Sequence, residues 1–145
     1  MIKLEQILEY WKTDSIIDDS KPHQELISTP LLHAKYVEIL SQHRLATQKA
    51  KFDHAKMKKI RREYYLGNLD KETLDEYGWE PCQFVLSDPK IARKIETDRE
   101  LINMLLKKVA HEEIVTYCET VLKSLHNRTW DLGNFIKYRQ LTSGR

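Results

Sequence analysis

The sequence predicts an all-α protein in which two long helices form an elongated antiparallel hairpin, with short terminal helices, assembling into an oligomer. Three observations lead there. Glycine and proline number only four each in 145 residues, so turns are few. Apolar residues recur at helical spacing, and no stretch alternates convincingly as a strand would. Two segments of 37 residues, Pro30–Leu66 and Pro89–Leu125, each carry a helical pattern. With 41% apolar and 32% charged residues, the chain suits one folded domain over residues 1–145.

The elements follow in order. Leu4, Ile7, Leu8 and Trp11 share one face, which predicts a short amphipathic helix over Ile2–Trp11. Thr13 to Ser20 is a polar break. The first long helix then starts in one of two ways. Thr29 caps a helix whose first residue is Pro30, or the helix begins near Ser20 and bends at Pro30. Gly67 ends it. From Pro30 to Leu66 it would span roughly 55 Å at about 1.5 Å per residue. KETLDEY (71–77) predicts one short helix in an acidic connection, and Glu80–Leu86 reads as extended. In SDPKI, Asp88 as cap and Pro89 as first residue open the second long helix. Its apolar stripe of Ile91, Ile95, Ile102, Leu105, Val109, Ile114, Val121 and Leu125 is a packing or subunit face, which Asp98 and Glu112 interrupt. His126 and Asn127 close that helix. Thr129 caps a final short one carrying Trp130, Leu132, Phe135, Ile136 and Tyr138, which must dock on the arms or on another subunit.

Several function classes find no support. There is no glycine-rich phosphate loop and no nucleophile-elbow pattern. His111-Glu112-Glu113 lacks a second histidine at zinc-protease spacing, because position 115 is Val115. Asp70, Glu72, Asp75 and Glu76 read as a solvated segment, and Asp18-Asp19 as a cap or a solvent-exposed pair rather than a cation site. Cys118 reads as a small core residue, and Cys82 has no basic group or histidine beside it. The expectation is therefore no catalytic residue, no metal and no cofactor. Two distant cysteines fit a reduced, cytosolic protein. Glu5 and Glu9 rule out a signal peptide in the first residues, and no stretch is long enough to span a bilayer.

Charge distribution says more than the net charge of +2. Arg44–Arg62 holds eight basic residues against the one acid Asp53, while Asn68–Glu80 holds one lysine against five acids. Residues 107–145 carry seven basic and four acidic side chains. On a helix, Arg44, Lys51, Lys58 and Arg62 line one side over roughly 27 Å, with Lys49, Lys56 and Lys59 beside them. Such a stripe attracts a polyanion locally, whether DNA, RNA or an acidic protein surface. Tyr64 and Tyr65 follow it. Pointing about 100° apart, they either offer a ring to an unpaired base or close the helix end. Phosphate contact with stacking would be independent of sequence.

The segment Lys59, Arg61, Glu63, Tyr64, Tyr65, Gly67 fills a Lys-x-Arg-x-acid-Tyr-Tyr-x-Gly signature. Together with Ile17-Asp18-Asp19-Ser20-Lys21 and Val85-Leu86-Ser87-Asp88, in that order along the chain, it resembles the UvsY family, the recombination mediators of large tailed phages. Arg62 stands where that family's pattern has a leucine, and Pro30 falls where its helix is continuous. The resemblance implies a non-enzymatic, ring-like homo-oligomer acting in the host cytoplasm. It would bind single-stranded DNA and promote loading of a phage RecA-like recombinase by helping displace the phage single-strand-binding protein. It implies that residues 1–145 form a DNA-binding and oligomerisation domain. Lys59 and Arg61 would contact phosphates first, Lys58 and Arg62 next, along the row that includes Lys51 and Arg44, with Tyr64 or Tyr65 stacking. The alternative is a helical scaffold whose basic face binds an acidic protein.

Overall fold

The computed structural model describes residues 1–143, so Arg145 of the basic C-terminal stretch lies outside the described residues. Among these residues five helices follow one another: α1 Leu4–Asp14, α2 Pro22–Tyr65, α3 Lys71–Tyr77, α4 Asp88–Glu96 and α5 Arg99–Ser143. No strand occurs among the described residues.

Helix α2 takes the second of the two starts that its sequence allows. Its entry is prepared by Asp18, whose side chain accepts the Ser20 N–H at 3.0 Å and whose carbonyl accepts the Lys21 N–H at 3.1 Å. Pro22 is the first helical residue, where a missing N–H costs nothing. Thr29 caps nothing. It lies inside the helix, where its hydroxyl donates back to the Glu25 carbonyl at 2.8 Å, and α2 continues through Pro30. At the far end Gly67 takes φ +74°, and the Asn68 N–H reaches back to the Glu63 carbonyl at 3.0 Å. Helix α3 matches its local signals. The Asp70 carboxylate accepts the Thr73 N–H at 2.8 Å, and Gly78 closes the helix at φ +70°. Hydrogen bonding with the Thr73 side chain, and then with its backbone N–H, holds the Asp70 carboxyl below the usual range.

The second predicted long helix differs at both ends. Ser87, not Asp88, is the cap of α4, and Asp88 and Pro89 lie in its first turn. The helix then stops at Thr97-Asp98, and α5 starts afresh at Arg99. Asp98 makes the restart: its carboxylate accepts the Leu101 N–H at 3.1 Å. The final short helix is not separate. Helix α5 runs unbroken past His126 and Asn127 to Ser143, and the Thr129 hydroxyl donates to the Leu125 carbonyl at 3.3 Å. No proline interrupts this stretch, and Arg128 needs a helical position to reach its partners.

The chain divides into two compact units, one of residues 1–45 with the chain from His111 onward, the other Ala46–Ala110. In the first, Ile7, Tyr36, Ile39, Leu40, Ile114, Cys118, Val121 and Leu125 form the core. Trp11 meets the Tyr36 ring edge-on at 5.7 Å, and the Tyr36 hydroxyl donates to Asp14 at 2.8 Å. The buried Arg128 ties down the α1–α2 connection. It donates to the Asp14 carbonyl at 2.7 Å and pairs with Glu25 at 2.7 Å. In the same unit the buried His43 sets its Nδ1 2.9 Å from that of His111, so one ring donates to the other. In the second unit Ile91, Ile95 and Leu101 form a smaller cluster, against which Met57, Tyr65, Leu86 and Met104 pack.

Burial pushes the Cys118 thiol up to about 11, with Glu119 adding to the shift. Cys118 should therefore resist a thiol reagent at pH 8 until the protein unfolds, whereas the half-buried Cys82 reacts first; labelling rates read with and without urea check this. Burial, and then His111, lower the pKa of His43. The unfolded chain thus takes up a proton near pH 6.5 that the folded chain refuses. Stability is complete above about pH 6.5 and falls as the pH drops below it. His43→Leu should flatten that slope in urea titrations run between pH 7.5 and 5.

Candidate nucleic-acid interface

Helix α2 presents the basic residues because nothing ends it between Pro22 and Tyr65. In the second unit, Lys51, Lys56, Lys58, Lys59 and Arg62 are all exposed. None of the five has a carboxylate partner among the described residues, and no hydrogen bond fixes their side chains. Arg44 belongs to the first unit. There it meets Glu119 at 3.1 Å, with both side chains more than half exposed, so the pair contributes little and can exchange.

Arg61 is different. Its side chain is only 16% exposed, its Nε lies 3.1 Å from Asp98, and its Nη2 donates to Glu100 at 3.0 Å. The Nε contact is an ion pair without hydrogen-bond alignment. The guanidinium lies 3.9 Å from the centre of the Trp79 ring and 5.9 Å from that of Tyr64. Two of the four aromatic residues gathered here come from α2. Tyr64 packs against Tyr65 and Trp79, both at 5.3 Å, and Trp79 stacks on Tyr77 at 4.6 Å. The Tyr64 hydroxyl donates to the Glu80 carbonyl at 2.7 Å, and the Tyr65 hydroxyl to Asp98 at 3.4 Å. Burial raises the Tyr65 pKa, and the Asp98 charge raises it further.

Helical geometry separates the candidates further. At about 100° per residue, Lys58, Lys51 and Arg62 lie about 60° to 100° around α2 from Arg61. Lys59 lies about 160° away, on another side of the helix. The two cations of the signature therefore face different surroundings. The signature puts them together as phosphate contacts, and Asp98, Glu100 and Trp79, which fix one of them, are not among the residues the sequence singles out for that role. The one available signal was Asp98 itself, an acid interrupting an apolar stripe.

An all-α chain with a row of exposed cations along one helix has the form of a polyanion-binding protein. More specifically, a model of the family described as recombination, repair and ssDNA binding protein UvsY matches residues 10–145, and the chain belongs to that family. Its fold is that of the bacteriophage T4 recombination mediator protein UvsY. One crystal form of that protein, lattice type II, superposes with a TM-score of 0.83 at 17% identity, covering 99% of this chain and 100% of the other. Lattice type IV gives 0.80 at 16% identity, covering 98% and 100%. No curated protein is similar enough in sequence to count as a match. No helix among the described residues is long and apolar enough to cross a membrane.

The contacts of Arg61 predict an asymmetry within the signature. Arg61→Ala leaves the nearly buried Asp98 carboxylate without its counter-charge and should cost about 3–5 kcal/mol. Lys59→Ala removes an exposed side chain and should stay within about 0.5 kcal/mol of wild type. Urea unfolding followed by far-UV circular dichroism separates the two.

Proposed function

We propose that this chain is a recombination mediator. It binds single-stranded DNA without regard to sequence and promotes loading of a RecA-like recombinase by helping displace the single-strand-binding protein. The observation that carries the reading is the set of exposed, unpaired cations on α2 in a member of a single-stranded-DNA-binding family. Lys51, Lys58 and Arg62 form the strand-contacting row, with Lys59 on the neighbouring face. Arg44, in the first unit, is a separate strand contact that exchanges Glu119 for a phosphate. Arg61, Tyr64 and Tyr65 position the end of α2 rather than gripping bases.

Contacts of this kind are weak singly. A ring-like homo-oligomer that engages one strand through several copies multiplies them, and it releases the strand stepwise when a recombinase competes. Residues 1–145 act as one DNA-binding and oligomerisation domain, at work in the host cytoplasm. The function requires no bond to be made or broken and no cofactor.

Binding of a labelled oligonucleotide, measured across a range of salt, tests the reading. Each phosphate contact contributes about 0.7 to the slope of log K against log salt on a single strand. Lys58→Ala combined with Arg62→Ala should lower the slope by about 1.4 and weaken binding for every oligonucleotide sequence alike. A double variant that binds as wild type does at all salt concentrations would remove the row from the interface.

A further inference from the structure

A cleft of about 800 Å³ opens in the second unit, between the end of α2, the end of α4 and the first turns of α5. Arg61 and Tyr65 line it from α2, Lys94 and Thr97 from the end of α4, and Arg99, Glu100, Asn103, Met104 and Lys107 from α5. Its charges do not cancel. Asp98 and Glu100, the two acids of the lining, are both engaged by Arg61. Lys94, Arg99 and Lys107 are exposed, and none has a carboxylate partner among the described residues. Three free cations thus border a concave surface, with the Asn103 amide exposed between them. The first turn of α5 supplies no free anion site of its own, because the Asp98 side chain already accepts the Leu101 N–H.

We propose that this cleft is a second phosphate-binding site, which seats a phosphodiester of the bound single strand between Lys94, Arg99 and Lys107. The inference rests on the single-stranded-DNA reading and extends the interface from one helix to three. Continuity favours a strand as occupant. Lys58 and Arg62 lie about 60° and 100° around α2 from Arg61, so the α2 row runs beside the cleft that Arg61 and Tyr65 line. A linear polyanion following that row meets the cleft cations next. Met104 and Tyr65 pack on the small hydrophobic cluster below and give the cleft a firm floor. Lysine and arginine on helix ends fit phosphates at variable spacing, as binding without base readout requires.

The test compares Lys94→Gln with Lys107→Gln against a control of equal charge change in the other unit, Lys21→Gln with Lys123→Gln. All four side chains are exposed, and circular dichroism confirms equal helicity. For a labelled oligothymidylate, the cleft variant should lower the salt slope by about 1.4 relative to wild type, while the control leaves it within about 0.3. A cleft variant whose slope equals wild type overturns the proposal and leaves the α2 row standing. So does an equal drop in both variants, which reports long-range charge alone. A wild-type protein that binds no single strand overturns the parent reading instead. A pyrophosphate titration distinguishes the source of the phosphate. Pyrophosphate binding that the cleft variant loses, with an unchanged DNA slope, assigns the cleft to a free phosphate ligand and overturns the strand assignment.

Discussion

The second unit depends on one ion pair, Arg61 with Asp98. The Asp98 side chain is 5% exposed, a position in which a carboxylate is tolerated only when charge and hydrogen bonds compensate it. Here it receives three approaches. The Leu101 N–H donates at 3.1 Å and starts α5, the Tyr65 hydroxyl donates at 3.4 Å, and Arg61 supplies the counter-charge. One carboxylate thus begins α5 and anchors the last turns of α2. Arginine suits the other side of the contact. Its flat guanidinium meets two carboxylates along its edge while its face lies on Trp79. A lysine could not do both.

That pair divides the basic segment into two populations. Arg61 is fixed and its charge is neutralised inside the protein. Lys51, Lys58 and Arg62 are left exposed, with no acid among the described residues near enough to pair. The acids that follow α2 do not cancel them by direct contact: Asp70 caps α3, and Glu80 meets Tyr64 through its backbone carbonyl. The positive field of the row therefore persists beside a strongly acidic connection, although the chain as a whole is nearly neutral.

Features encoded within one helical turn were legible in the sequence. Gly67 ends α2 because glycine takes positive φ without strain, and KETLDEY forms the short α3. Asp70, which reads as a solvated acid in the sequence, is instead the cap of α3. Cys118 fell on the apolar face and is fully buried. What was not legible depends on distant partners. Thr129 has the chemistry of a cap, yet helix continues through it, because Arg128 beside it bonds to Asp14 and Glu25 from the other end of the chain. The break at Asp98 lies within an apolar stripe that continues on both sides, so periodicity alone bridges it. Arg61 and Lys59 look alike as charges. Only the fold shows that Glu100 and Asp98 reach one and not the other.

The same division bears on how a strand would be held. Tyr64 and Tyr65 meet edge to face and their hydroxyls already have acceptors, so most of the affinity on the proposed reading is electrostatic. Electrostatic contacts made by mobile lysines are indifferent to base identity and to the exact phosphate spacing. Each is also weak enough to break on its own. A mediator of the proposed kind, which holds any single strand and then yields it to a filament, benefits from both properties. A stacking interface of comparable affinity would hold each base more firmly and yield less readily to a competitor. On the proposed reading, fixing Arg61 and the tyrosines inside the fold therefore does more than close a helix: it leaves strand contact to side chains that can let go.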